Sequence, residues 1–119
     1  MTEHLSTDEI TLLSFFEVEP QTLDPDVPWV YNDSAYETND GRVHIAFGIS
    51  PAAEFVTLVL RLDDSLVYQF TADGITDVRH HNDKGRESLE IVVSQRESIW
   101  LRLKPHISLT QYCDSRPSQ

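Results

Sequence analysis

Residues 87–109 read ESLEIVVSQRESIWLRLKPHISL and contain two segments in which apolar and polar residues alternate. The alternating apolar residues are Leu89, Ile91 and Val93 in the first segment and Ile99, Leu101 and Leu103 in the second. A period of two is typical of a β-strand with one buried face and one solvated face. The pattern therefore predicts an antiparallel hairpin at the centre of a β-rich domain, with Glu90 pairing with Arg102 or Lys104 across the solvated face.

Shorter alternating segments lie before and after this hairpin and are separated by turn signals. Asn39-Asp40-Gly41 is one such signal, because an Asp-Gly pair tolerates the positive φ angles of tight turns. The predicted strands outside the hairpin are residues 34–38, 42–49, 55–62 and 66–72; shorter candidates are 75–79 at an edge and 107–109 at the end, and residues 80–87 form a polar connection. This spacing predicts a mainly β protein, an antiparallel β-sandwich or small barrel of six to seven strands.

The segment before these strands predicts a short N-terminal helix. Ser6-Thr7-Asp8-Glu9 has the Ser-x-x-Glu pattern of a capping box with Ser6 as the N-cap, and apolar residues follow at mixed helical spacing. The helix is expected from about Asp8 to Phe16. The competing interpretation is a buried strand, because TLLSFFEV also suits one.

Length and composition indicate one domain over residues 1–119, with flexible ends at 1–5 and 111–119. The N-terminal residues have no basic region followed by an apolar run, and nowhere do 18 uncharged apolar residues occur in a row. The single cysteine, Cys113, cannot form an internal disulfide bond. These features predict a cytoplasmic protein in a reducing compartment.

Charge is unevenly distributed along the chain. The net charge is −11, and residues 1–60 hold eleven acids and one base, which leaves −10 in that half. This balance argues against direct binding of nucleic acid or anionic membrane, because both require clustered Lys and Arg. It favours encounter with a basic protein partner. The alternative is that the acids only keep a small protein soluble.

The sequence offers little support for metal binding or catalysis. His80-His81-Asn82-Asp83 is the densest group of ligating side chains, but adjacent histidines on an extended chain point to opposite sides. Cys113 lies in the expected tail, no Gly-x-Ser-x-Gly turn is present, and the four glycines form no phosphate-binding run. We therefore expect no metal, no cofactor and no enzyme activity.

The most concrete functional prediction concerns the acidic, proline-containing segment that follows the helix. Three prolines make this segment extended and irregular, and two aromatic residues lie at its end. An inhibitor or immunity-type protein would place the segment on a basic site of its partner, such as the nucleic-acid site of a nuclease, and occlude it. The predicted partner-binding residues are Glu17, Glu19, Asp24, Asp26, Trp29, Tyr31 and Asp33. The structural alternative for the two aromatic residues is that they fix the segment to the core.

Two other functions fit the same sequence. A small-ligand or carbohydrate-binding sandwich would use Trp100, Tyr36 and His44 on one outward face, unless a loop or helix covers Trp100. A homo-oligomeric assembly module would use an exposed strand edge or an apolar patch.

Overall fold

Two antiparallel sheets dominate the computed structural model of the protein, which describes residues 5–113. The first sheet contains, in spatial order, β1 (Gln21–Thr22), β2 (Ser34–Asp40), β3 (Val43–Ser50), β4 (Phe55–Leu62) and β5 (Ser65–Ala72). The second contains β6 (Asp77–Asp83), β7 (Arg86–Val92), β8 (Glu97–Arg102) and β9 (Ser108–Cys113). One α-helix, α1 (Glu9–Phe16), precedes them. The described residues thus form nine strands, more than the six or seven expected. One of the additional strands is β1, which is only two residues long and therefore has no alternating pattern to predict it.

The predicted hairpin is the central pair of the second sheet. Leu89 lies opposite Leu101 and Ile91 opposite Ile99, and all four side chains are fully buried. The predicted charge pairing across the outer face is wrong, because the register places Glu90 opposite Trp100. The Glu90 carboxylate instead contacts a histidine of β6, and Lys104 forms an ion pair with an acid next to α1.

Buried side chains from both sheets and from α1 form one hydrophobic core. Its members are Leu12, Phe15, Phe16, Tyr36, Ile45, Phe47, Ile49, Val56, Leu58, Ile75, Val78, Leu89, Ile91, Ile99 and Leu101. Phe16 anchors the helix to this core, because its ring stacks on Tyr36 and Phe47 with centroid separations of 5.1 and 5.6 Å. The mainly β fold with a short N-terminal helix is confirmed, and the strand interpretation of residues 11–18 is wrong.

The helix α1 has a side-chain N-cap, as predicted, but the capping residue is not the predicted one. Asp8, with an extended backbone, is the N-cap, and its carboxylate accepts a hydrogen bond of 2.8 Å from the Thr11 amide. Ser6 is not the cap, because its hydroxyl donates to Asp77 in β6. The hydrogen bonds from the Thr11 hydroxyl and amide lower the pKa of Asp8 below its ordinary value.

We expect Asp8→Ala to lower the free energy of unfolding by about 1 kcal/mol at neutral pH, the usual cost of losing an N-cap. Urea denaturation followed by circular dichroism measures this change. Ser14→Ala, an exposed position in the same helix, serves as the control and should change stability by less than about 0.5 kcal/mol. Equal effects of the two substitutions would contradict the assignment of the cap.

Two segments expected to be irregular lie in strands. β6 continues through Asp83, so that residues 80–83 are part of a ladder rather than of a polar connection. β9 continues to Cys113, with Gln111 opposite Ile99, so residues 111–113 are not a frayed tail. The rest of the two predicted flexible ends, residues 1–4 and 114–119, lies outside the described part of the chain. Leu5 packs against the core.

The two sheets differ in charge. Residues 1–76, which include α1 and the first sheet, hold fourteen acids and two bases, a net charge of −12. Residues 77–113, which form the second sheet, hold five acids and six bases. The charge asymmetry seen along the sequence therefore becomes an asymmetry between the two layers of the sandwich.

Candidate functional site

The acidic segment, residues 17–33, connects α1 to β2 along the edge of the first sheet. It begins at Glu17, which ends the helix in a left-handed conformation with φ of 60°. It then contributes the short edge strand β1 and a 3₁₀ helix at Trp29–Tyr31. All five of its acids are exposed: Glu17, Glu19, Asp24, Asp26 and Asp33. Only Glu17 is in an ion pair among the described residues, with Lys104 at 2.5 Å, and both partners are too exposed for the pair to add much stability.

Asn32 holds the middle of the acidic segment in shape. Its buried side-chain amide donates to the carbonyl oxygens of Asp24 at 2.6 Å and Val27 at 3.0 Å. The amide oxygen accepts from the backbone of Asp33 at 2.9 Å. Asn32 was not among the predicted site residues, although asparagine side chains commonly hold turns by bonding to the nearby backbone.

The two aromatic residues of the segment have different environments. Trp29 is half-buried against the core, and its indole nitrogen donates to the Tyr36 hydroxyl at 3.3 Å. Tyr31 is 63% exposed. Burial raises the pKa of Tyr36 above its ordinary value, and the nearby Glu9 and Glu19 raise it further. Trp29 therefore fixes the segment to the sheet, and Tyr31 is the aromatic residue left available at the surface.

A groove of about 400 Å³ lies beside the acidic segment, on the outer face of the first sheet. Its residues come from β1, β2, β3 and β4 and from the chain that follows β1, and they include Leu23, Asp33, Ala35, Gly48, Phe55 and Thr57. Most of the exposed surface of this lining is apolar, although Gln21, Thr22 and Ser50 also belong to it. No residue of the groove except Asp33 was selected from the sequence.

The three residues predicted to line a ligand site do not come together. Tyr36 is fully buried in the core, which excludes it from any outward face. His44 lies in β3 and Trp100 in β8, on different sheets. The ligand site as predicted is therefore wrong. Trp100 itself is half-buried on the outer face of the second sheet, where its ring stacks on His81 at 4.7 Å and lines a concave region of about 550 Å³.

His80 and His81 point to opposite sides of β6, as their adjacency in an extended chain predicts. His80 Nε2 lies 2.8 Å from Glu87, and its ring meets Phe15 of the helix edge-on. His81 Nε2 lies 2.9 Å from Glu90 on the other face. Within residues 5–113, no group of three or more His, Cys, Asp or Glu side chains is arranged to hold a metal ion. The described residues also include no helix that is long and apolar enough to cross a membrane.

Comparison with known proteins gives one informative match. The sequence matches no protein-family model and no curated protein. The structure is similar to a chain of the contact-dependent growth inhibition toxin–immunity protein complex from Klebsiella pneumoniae 342, with a TM-score of 0.72 at 24% sequence identity. The match covers 93% of this chain and 97% of the other. The two chains therefore share a fold over nearly their whole lengths.

Proposed function

We propose that this chain is an immunity-type protein that binds a toxin in the cytoplasm and blocks its active surface without catalysing a reaction. The observation that carries this proposal is the fold shared with a chain of a toxin–immunity complex. Because almost all of both chains is matched, the likeness concerns the whole domain rather than one common motif.

Charge and exposure support the acidic segment as the binding surface for a basic toxin. Its five acids are exposed, and the layer to which it belongs carries a net charge of −12 over residues 1–76. A surface of one sign raises the association rate of an oppositely charged partner by about 10- to 1,000-fold. Tyr31 supplies an exposed ring of a type that is enriched among interface residues of high energy. A toxin that acts on nucleic acid would present the matching basic site.

The test begins with the protein that the immobilised chain retains from its native cell extract and releases at high salt. This protein is then expressed in cells alone and together with the chain. We expect it to stop growth when expressed alone and to be harmless when the chain is present. Retention of no protein in a stoichiometric amount, or retention of one that is not toxic, would overturn the immunity proposal.

The role of the acidic segment is tested by neutralising its five acids with Glu→Gln and Asp→Asn substitutions. We expect the association rate with the purified toxin to fall at least about tenfold at low salt and its salt dependence to flatten. The matched control neutralises two Glu and three Asp elsewhere: Glu37, Glu54, Asp64, Asp73 and Asp83. Both variants change the net charge by the same amount, so equal rates for the two would show that the position of the acids does not matter.

A further inference from the structure

We infer that the groove beside the acidic segment receives an apolar side chain of the toxin, from a toxin segment that also carries Lys or Arg. This inference rests on the proposed function and adds a second element to it. The acids would determine the association rate of the toxin, and the groove would determine its dissociation rate. The side chains that form the groove, and the acids beside it, carry the inference.

The floor of the groove is low because two neighbouring positions on the outer face carry small residues. Ala35 of β2 lies directly opposite Gly48 of β3. On the far side of Gly48 lies Thr57 of β4, and a Cβ atom added at Gly48 would lie 2.6 Å from the Thr57 methyl group. The missing side chain at Gly48 therefore lets the Thr57 methyl group lie close over this position, so that Ala35, Gly48 and Thr57 together form a low floor.

The walls of the groove expose apolar surface to solvent. Leu23 is 77% exposed at one side, and Phe55 of β4 is half-buried at the other. Leu23 and the groove together expose apolar surface, and a partner that removes this surface from water would gain binding free energy. Leu23 is held in this position because its backbone amide donates to the Asp33 carbonyl at 2.9 Å.

Charge at the rim selects the occupant. Asp33 belongs to the lining and Asp24 follows Leu23 directly in the chain, so carboxylates stand next to the apolar surface. These carboxylates accept hydrogen bonds from Ser50 and from the Asp26 amide, but neither is in an ion pair among the described residues, so a wholly apolar ligand would leave their negative charge uncompensated and an acidic ligand would be repelled. An apolar side chain with Lys or Arg beside it would fill the depression and place a positive charge next to the carboxylates at its rim.

The first test needs no toxin. Two peptides, acetyl-Lys-Phe-Lys-amide and acetyl-Lys-Ser-Lys-amide, are titrated into the full-length chain, and amide chemical shifts are recorded by NMR. We expect saturable shifts for Leu23, Ala35, Gly48 and Thr57 with the Phe peptide and at least about tenfold weaker binding of the Ser peptide, as for loss of a buried anchor. Equal binding of both peptides, or shifts centred on Trp100, would overturn the inference.

The second test measures dissociation of the toxin identified above. Ala35→Leu fills the depression and Leu23→Ser removes its apolar wall, and each should raise the dissociation rate by about tenfold with little change in the association rate. Leu66→Ser is the matched control, because Leu66 is also exposed but lies at the far end of the same sheet, opposite Arg61. A toxin whose dissociation is unchanged by both groove variants would overturn the groove and leave the immunity function standing.

Discussion

Phe16→Ala is expected to destabilise the protein by about 3–5 kcal/mol, the usual cost of truncating a buried phenylalanine to alanine. The Phe16 ring is buried between the helix and the first sheet, stacked on both Tyr36 and Phe47 and edge-on to Phe15 at 5.0 Å. The substitution would leave a cavity at the one point where α1 meets these two rings. Since domains of this size are stable by about 5–15 kcal/mol in total, the variant should be near the limit of folding.

Urea denaturation monitored by tryptophan fluorescence measures this loss. Ile10→Ala is the control in the same helix, because Ile10 is exposed and its truncation should cost less than about 0.5 kcal/mol. A loss below about 1 kcal/mol for Phe16→Ala would mean that the helix contributes little to the core.

Asp77→Asn should cost about 2–3 kcal/mol at pH 7, because several hydrogen bonds to a charged carboxylate are weakened together. Asp77 is 9% exposed and accepts from the Ser6 amide at 2.6 Å, the Val78 amide at 2.8 Å and Arg79 Nε at 3.1 Å. The Ser6 hydroxyl donates to the same carboxylate. An asparagine has one oxygen in place of two, and its amide group would face donors.

The effect should depend on pH in a defined direction. Burial alone would raise the pKa of Asp77, but the hydrogen bonds from Ser6, Arg79 and Val78 outweigh it and lower the pKa below 3.8. A carboxyl group whose pKa is lowered on folding stabilises the protein above its unfolded pKa and loses that contribution as the pH falls through the folded value. The stability difference between wild type and Asp77→Asn should therefore be full at pH 7 and shrink below about pH 4.

Denaturation at a series of pH values measures this convergence. Asp83→Asn, at the exposed end of the same strand, should show no difference from wild type larger than about 0.5 kcal/mol at pH 7. A constant difference between wild type and Asp77→Asn across the pH range would contradict the charged network.

The strands were predictable wherever one face of a strand is apolar and the other polar. β7 and β8 follow this pattern, and the structure buries Leu89, Ile91, Ile99 and Leu101. The two other residues that the alternation selected, Val93 and Leu103, lie just beyond the strand ends and are half-buried. β6 was only partly predicted, because His80-His81-Asn82-Asp83 has no apolar alternation and its ladder depends on pairing with β7. Hydrophobic alternation arises because one face of a strand is buried, so a strand that is polar on both faces cannot be predicted from it.

Contacts between residues distant in sequence could not be predicted. Ser6 has the local pattern of a helix cap, yet its hydroxyl donates to a carboxylate 71 positions later. Tyr36 was assigned to an outward face, but α1 packs against β2 and the ring lies beneath Phe16. The positions of Ser6 and Tyr36 depend on how the helix and the two sheets pack together. The residues around each of them in the sequence do not indicate this packing.

The candidate site was predictable in part. Composition alone selected the acidic segment, and its five acids are exposed as an interface would require. The groove was not predicted, because it depends on the register that sets Ala35 opposite Gly48 and on the position of Leu23 beside them. Charge is visible in a sequence, whereas a depression between strands is not.

The order of the strands has a consequence for synthesis of the protein. In each sheet every strand pairs with its neighbour in sequence, and the chain crosses between the sheets once, after Ala72. Such local pairing favours fast folding, and the first sheet can form before the second has been made. At about 5–20 residues per second, residues 77–113 take roughly 2–7 seconds to be translated. During that interval α1 can cover the inner face of the first sheet at Phe47 through Phe16, but the opposing sheet is absent, and apolar surface that is exposed at this stage favours aggregation.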